Sequence, residues 1–415
     1  MGYSLIEVEP ADASDEHAFP ARASTGRLVL VKSVESDAIA NGDYTIPGRS
    51  STGRLTVNVP VVLPSESGKF CVPVFLPAPA VFTADLYSCG RNDYGQLGLN
   101  DTTDRDEFTS VSSGWSAISA GYHSLALKPN GDLYACGHNG SGELGLNDTT
   151  DRDEFTYVSG GWAAIAAGNS VSLALKTNGD LYSCGYNGQG ALGLNDTTDR
   201  DEFTYVSGGW ASIAAGSGHS LALKTNGDLY ACGYNAFGQL GLNDEVNRDE
   251  FTSVSSGWSA IAAGYHSLAL KTNGDLYASG QNLYGQLGLA DQTNRDEFTS
   301  VSSGWSIISA GSHHSLALKT NGDLYACGYN LHGELGLDDE TLRDEFTSVS
   351  AGWSAIAGGY YHSLALKTNG DLYSCGWNNH GQLGLNDKVD RDEFTSVSGG
   401  WSTIAAGYNH SLAGV

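Results

Sequence analysis

The chain has 415 residues, 55 of them glycine, with aromatic residues spread along its length; average proteins carry only ~7% glycine, so the composition excludes a disordered chain and points to many short strands joined by turns. Lys and Arg number 21 against 47 Asp and Glu, a formal net charge of −26, which excludes nucleic acid and anionic lipid as partners, since both need clustered cations against phosphate. No run of ~18 apolar residues is present, and the N-terminus MGYSLIEVEPADASDEHAF lacks the basic and apolar regions of a secretory signal, so synthesis in a cytoplasm without membrane insertion is expected.

Residues 1–80 have a character of their own. GRLVLVKSV (26–34), GRLTVNVPVVL (53–63) and KFCVPVFL (69–76) read as strands between Gly, Pro and Ser-rich turns. The run STGRL occurs twice, at Ser24 and Ser51. So short a segment has a thin core of its own. We therefore expect a small β-rich arm that attaches the protein to an assembly partner.

From Asp85 the chain repeats. The hexamer DLYxxG recurs at Asp132, Asp180, Asp228, Asp275, Asp323 and Asp371, seven copies spaced by 47, 48, 48, 47, 48 and 48 residues. A period of ~40–50 residues rich in strand candidates predicts propeller blades. Each copy supplies four candidates, as in WSAISA (115–120), HSLALK (123–128), DLYACG (132–137) and EFTYV (154–158). The second and third are joined by Lys128-Pro129-Asn130-Gly131, elsewhere Lys-Thr-Asn-Gly, which reads as a hairpin with a type I′ turn. Small residues in the first strand and Phe in the fourth suit blades that taper toward an axis. The repeat opens on a third strand at 85–90 and stops at Val415 just after a first and second. The expected fold is thus all-β, a seven-bladed β-propeller of four-stranded blades over 84–415, its last blade closed by N- and C-terminal strands, which removes open sheet edges.

The succession CGxNxxGQLGL, a charged run with Arg, a small-residue strand ending AG, HSLAL and NGDLY resembles the regulator of chromosome condensation repeat. That resemblance implies a seven-bladed propeller across 84–415. It leaves function open, because the family it resembles includes exchange factors for a small GTPase, ubiquitin-ligase modules and bacterial protein inhibitors. The exchange factors rely on a loop that wedges out of one blade, and the uniform 47 or 48 residues per copy leave no room for one. Cys stands where the family usually has Trp, and RDEFT where it usually has a proline.

Comparing the copies with one another separates scaffold from variation. GQLGL, RDEFT, GW and SLALK are nearly constant. Variation gathers in the tetrad after the CG glycine (RNDY, HNGS, YNGQ, YNAF, QNLY, YNLH, WNNH) and in the link between first and second strands. In an up-and-down blade both lie on one face, so we expect a binding face built from Arg91, Tyr94, Tyr122, His138, Tyr186, Gln189, Tyr234, Phe237, Tyr265, Tyr284, His313, Tyr329, His332, Tyr360, Tyr361, Trp377, His380 and Tyr408. Tyr, Trp, His and Asn offer large contact area at low entropic cost. The competing reading is drift in exposed loops.

Other features read as structural. Six cysteines occupy one repeat position, with Ser279 in the fifth copy, and are expected as buried thiols. His123, His219, His266, His314, His362 and His410 form a series broken by Val171, each expected to tie down its own strand junction. The acidic run NDTTDRDE is expected to bridge to its own Arg. No motif for an enzyme, metal or cofactor is present. Two functions fit: a non-enzymatic recognition protein on a phage or other virion surface, anchored by its arm and meeting a protein or glycan ligand, or a cytoplasmic regulator or inhibitor binding one client protein.

Overall fold

The computed structural model describes residues 84–415 and four three-residue strands that precede them. The contacts divide the chain into two units, Met1–Ala80 and Val81–Val415. In the first, Ser4–Ile6 pairs in parallel with Leu28–Leu30, and Tyr44–Ile46 pairs antiparallel with Leu55–Val57. Leu28 and Leu55 each end a copy of STGRL, so the duplication marks two strand starts. The strand expected at 69–76 lies outside the described residues.

The second unit is seven four-stranded antiparallel sheets. One blade runs Trp162–Ala167, Val171–Lys176, Leu181–Gly185, Arg200–Ser207, paired in that order. Its second and third strands are buried almost throughout, whereas the fourth alternates and reaches solvent. The reason is position. A middle strand is covered on both faces by neighbouring blades and reads as unbroken Leu, Ala and Ser; a rim strand is half covered and keeps its charges. The last sheet joins the chain ends: Thr403–Ala406, His410–Gly414, Ala84–Gly90 and Arg105–Trp115, with His410 opposite Gly90 and Gly414 opposite Leu86. No helix occurs among the described residues.

The GQLGL segment explains its own constancy. Leu97 is fully buried, Leu99 bridges to Glu154 of the next blade, and Gly98 has φ +69° with Phe155 packed where a Cβ would lie, 2.5 Å from the ring. Any other residue there would be strained and would displace the ring. The hairpin turn departs from expectation. A type I′ turn needs positive φ at both central residues, yet among Pro129, Asn130 and Gly131 only Gly131 has it, at 82°. Gly131 donates to the Lys128 carbonyl at 2.9 Å, the pattern of a non-primed turn followed by a left-handed glycine, the three-residue hairpin loop. Pro129 suits that loop and could not occupy a positive-φ site.

The histidines also differ from expectation. Each reaches across to the next blade rather than holding its own junction. His123 Nε2 lies 2.6 Å from Ser172 Oγ, His219 2.8 Å from Ser267, and His410 2.8 Å from Ser124, closing the circle. Ser172 Oγ donates its one proton to the Glu143 carbonyl at 2.6 Å, so the imidazole supplies Nε2–H and its Nδ1 is left without a partner. His266, His314 and His362 repeat the arrangement. Burial pushes these imidazoles down, His123 and His219 to about 4 and the other four to about 3. The six cysteines of the repeat stand as buried free thiols; Cys136 Sγ donates to the Gln96 carbonyl at 3.5 Å.

Closure gives one prediction. Removing residues 401–415 takes two strands from the closing blade, so the urea midpoint should fall and the protein should self-associate through the bared edges; an unchanged midpoint with monomeric elution would reject this seam. The histidines give another. In the unfolded chain they bind protons below about pH 6.5, while the fold keeps them neutral until about pH 3–4. The stability these histidines contribute is therefore complete above pH 6.5 and declines as pH falls, each contributing up to ~1.4 kcal/mol per pH unit. Glu334, pushed up to about 7 by burial, and His138, raised by Glu143 beside it, oppose this, while His313, pushed down to about 4 by burial, adds to it. Urea melts from pH 7.5 to 5 should show the decline, and His219→Val, which copies the native Val171 of the neighbouring blade, should lessen its slope.

Candidate functional site

Backbone hydrogen bonds fix the variable segments together. The first tetrad residue donates to the carbonyl of the strand link beside it: Arg91 to Asn409 (2.8 Å), Tyr186 to Ser170 (2.8 Å), Tyr234 to Gly218 (2.8 Å), Tyr329 to His313 (2.9 Å) and Trp377 to Tyr361 (2.7 Å). The tetrad Asn is the pin beneath. Asn92 Oδ1 accepts from Leu97 N at 2.9 Å while its Nδ2 donates to the Asp101 carbonyl at 2.8 Å. Tetrads and links thus share one face, and the Asn-Gly turns meet the tryptophans elsewhere, as where Trp162 N donates to the Gly131 carbonyl at 2.9 Å.

On that face most of the expected residues form one connected aromatic array. Tyr122 stacks on Tyr408 with centroids 3.9 Å apart, Tyr408 meets Tyr360 at 3.9 Å, and Tyr360 meets Tyr361 at 4.4 Å. From Tyr361 the array extends to Tyr329 (5.4 Å), His332 (6.0 Å) and Trp377 (5.9 Å), then from Trp377 to His380 (5.6 Å). Tyr265 stacks on His313 at 4.8 Å, with Tyr284 at 5.3 Å. The other end runs Tyr122, His138, Tyr94, with Arg91 over the Tyr94 ring at 5.4 Å. Tyr186 and Gln189 stand apart, and Tyr234 with Phe237 forms a separate pair at 5.9 Å. The array is a crescent. It is interrupted where the links carry Asn169-Ser170 and Ser217-Gly218, whose Asn169 Nδ2 donates to Ser217 Oγ at 3.1 Å.

The chemistry of the crescent is neutral aromatic surface edged by carboxylates. Burial raises the phenols of Tyr122 and Tyr360, and that of Tyr329 to about 12, so they remain hydrogen-bond donors at physiological pH. His332 Nδ1 lies 3.1 Å from Asp390 and His380 Nδ1 2.9 Å from Asp104. Cations are consumed elsewhere. Among the described residues every arginine pairs with a nearby Asp, seven in the repeated i,i+4 bridge of the acidic run. Six of the described lysines sit 3.3–3.4 Å above Trp rings, leaving Lys388.

Two buried residues under the crescent, Glu143 and Glu334, escape a reading of the sequence. Their signal is a single letter, GEL for GQL in two copies of an otherwise nearly constant segment. Both are fully buried.

The RCC1-like domain pattern matches residues 164–352, and patterns of the regulator of chromosome condensation (RCC1) repeat match 84–127, 353–382 and 369–413. The chain belongs to the regulator of chromosome condensation repeat family. Among solved structures, human WBSCR16 superposes with a TM-score of 0.73 at 21% identity, over 80% of this chain and 98% of its own. Prp20p from Saccharomyces cerevisiae, described with its binding to Gsp1p and histones, gives 0.73 at 22% identity over 81% and 92%. Yeast RCC1 (Prp20) bound by Kap60 gives 0.73 at 21% over 80% and 88%. At these identities the likeness is one of fold. No curated protein sequence matches the chain. Within this family fold, constant positions are spent on blade packing, and the crescent is where the copies differ.

Stability should divide the same way. Trp210 is buried against Tyr230, Phe251 and Lys224, so Trp210→Ala should cost ~3–5 kcal/mol, whereas Trp377→Ala and Tyr329→Ala, at the surface of the array, should each cost far less. Urea denaturation of the three variants tests this, and equal losses would place Trp377 in the packing core.

Proposed function

We propose that this propeller is a protein-interaction module that binds one client protein through the aromatic crescent, acting as a regulator or inhibitor rather than through chemistry of its own. The carrying observation is the crescent itself: aromatic side chains from separate copies held in contact on one face, on a scaffold whose other variable positions are few. Interface energy concentrates in such anchors. Family members of the same fold have been described with protein partners, Kap60 for yeast RCC1 and Gsp1p and histones for Prp20p, which supports a client protein over the virion and glycan readings. Residues 1–80 are proposed as a second attachment segment.

The test is client capture with the full chain, followed by titration of the purified client. Truncating two anchors worth ~2 kcal/mol or more between them should weaken binding at least ~30-fold, so the double variant Trp377→Ala, Tyr329→Ala should show that loss with its fold intact. Full-strength binding by the double variant would move the contact to the acidic rim or to residues 1–80.

A further inference from the structure

In six copies the residue between the two glycines of G-x-L-G is Gln or Glu and has a common task, the third copy having Ala191. One arm of its side chain is caught by the backbone N–H two residues earlier: Tyr94 N to Gln96 Oε1 (3.1 Å), Ser141 N to Glu143 Oε2 (2.8 Å), Tyr284 N to Gln286 Oε1 (2.9 Å) and His332 N to Glu334 Oε2 (3.0 Å). The other arm differs from copy to copy, and that of Gln382 has no partner. In the fifth copy Gln286 Nε2 donates to Gln281 Oε1 at 3.2 Å. In the second copy His138 Nδ1 lies 3.3 Å from Glu143 Oε1, an ion-pair contact too bent for a hydrogen bond. In the sixth copy the tetrad residue is Tyr329, and Glu334 Oε1 has no partner at all although the residue is fully buried. A buried carboxylate without a counter-charge is costly.

The surroundings show what is missing. Glu334 accepts from His332 N and lies within charge range of Tyr329 and Tyr361, whose rings adjoin those of His332 and Trp377 with centroids within about 6 Å of one another. Electron-rich rings beside an anion form a site for a cation. Among the described residues the arginines are bridged to Asp and the lysines, Lys388 apart, lie on Trp rings. We infer that this site receives a basic side chain of the client, lysine or arginine, which supplies to Glu334 the counter-charge that His138 supplies to Glu143. The inference rests on the reading of the crescent as a protein-binding surface.

The two carboxyls behave accordingly. Burial works to raise Glu143, but His138 and His123 bring it below its usual range; burial alone dominates at Glu334 and pushes it up to about 7. The titratable groups facing Glu334 are Tyr329, Tyr361, Asp390, Glu340 and the thiol of Cys375, with His332 on its own turn. Its nearby charged neighbours are acids.

Glu334→Gln is a mild change, since Gln96, Gln239, Gln286 and Gln382 fill the equivalent position. The probes are Nα-acetyl-lysine methylamide, its arginine counterpart and the neutral Nε-acetylated lysine, followed by the indole N–H resonance of Trp377. The two charged probes should shift that resonance at millimolar concentration and the neutral one should not. Hydrogen bonds to charged groups are worth ~1.5–3 kcal/mol, so Glu334→Gln should weaken the charged probes at least ~10-fold, with Glu143→Gln leaving them unchanged. Equal shifts from charged and neutral probes, no effect of Glu334→Gln, or a shift from a neutral methyl glycoside alone would overturn the inference. Stability gives a second reading. The Glu334 carboxyl keeps its proton below about pH 7 and is an unpaired anion above it, so Glu334→Gln should raise the urea midpoint more at pH 8 than at pH 5.5. A lowered midpoint at pH 8 would mean that the carboxylate already has a partner. With the client itself, loss of binding in Trp377→Ala, Tyr329→Ala but not in Glu334→Gln would remove the cation site and keep the protein-binding face; retention in both would remove the two together.

Discussion

The fold depends on a buried polar bond carried from blade to blade. Propeller blades are sheets whose apolar faces could slide over one another, and dispersion alone does not choose an offset. The His–Ser–carbonyl relay does, because a buried imidazole N–H, a hydroxyl and a backbone oxygen must meet within 2.6–2.9 Å, and each would be penalised if left unpaired. The relay runs from His410 back to Ser124, so the closing blade is tied to its neighbour by the same bond used elsewhere in the ring. Its one gap is Val171, beside which Ser220 still donates to the Ala191 carbonyl at 2.7 Å. The circle tolerates an apolar substitute because no polar partner is thereby orphaned.

A second constraint follows from using one unit many times. A charge placed in the repeat appears in every blade, so it must be neutralised in every blade. Arg105 reaches Asp101 at 2.6 Å, and its counterparts do the same. Such exposed bridges add little stability, ~0.2–1 kcal/mol each, but they bind the cations. Lys128 and its equivalents are likewise held over Trp rings and donate to a carbonyl, 2.7 Å from Lys128 to Ser113. The surface left to solvent is strongly anionic, and the crescent inherits that field. A client of the kind proposed for this face would therefore be selected partly by charge.

Glu143 and Glu334 show how a repeat protein acquires a site. The same substitution of Glu for Gln in two copies has opposite consequences, decided by one neighbour, His138 in one case and Tyr329 in the other. The first has a counter-charge within the chain. The second is incomplete and sits beneath the aromatic residues most distant in kind from the repeat consensus.

The amino-acid sequence by itself determined the number of blades, the order of strands within each, the hairpin in every copy and the closure of the last blade, since these follow from period, local turn chemistry and the phase at which the repeat begins and ends. It also located the variable face, because up-and-down connectivity puts tetrads and links on the same side. The turn type escaped it, as Asn-Gly serves two hairpin loops and the choice rests on backbone angles. Only the tertiary structure decided that the histidines bridge blades, that Tyr186, Gln189, Tyr234 and Phe237 stand outside the crescent, and that Glu334 is unpaired. Those facts concern side chains from different copies, His123 and Ser172 being 49 residues apart, and a periodic sequence cannot say which of several identical partners a side chain will meet until the ring is closed.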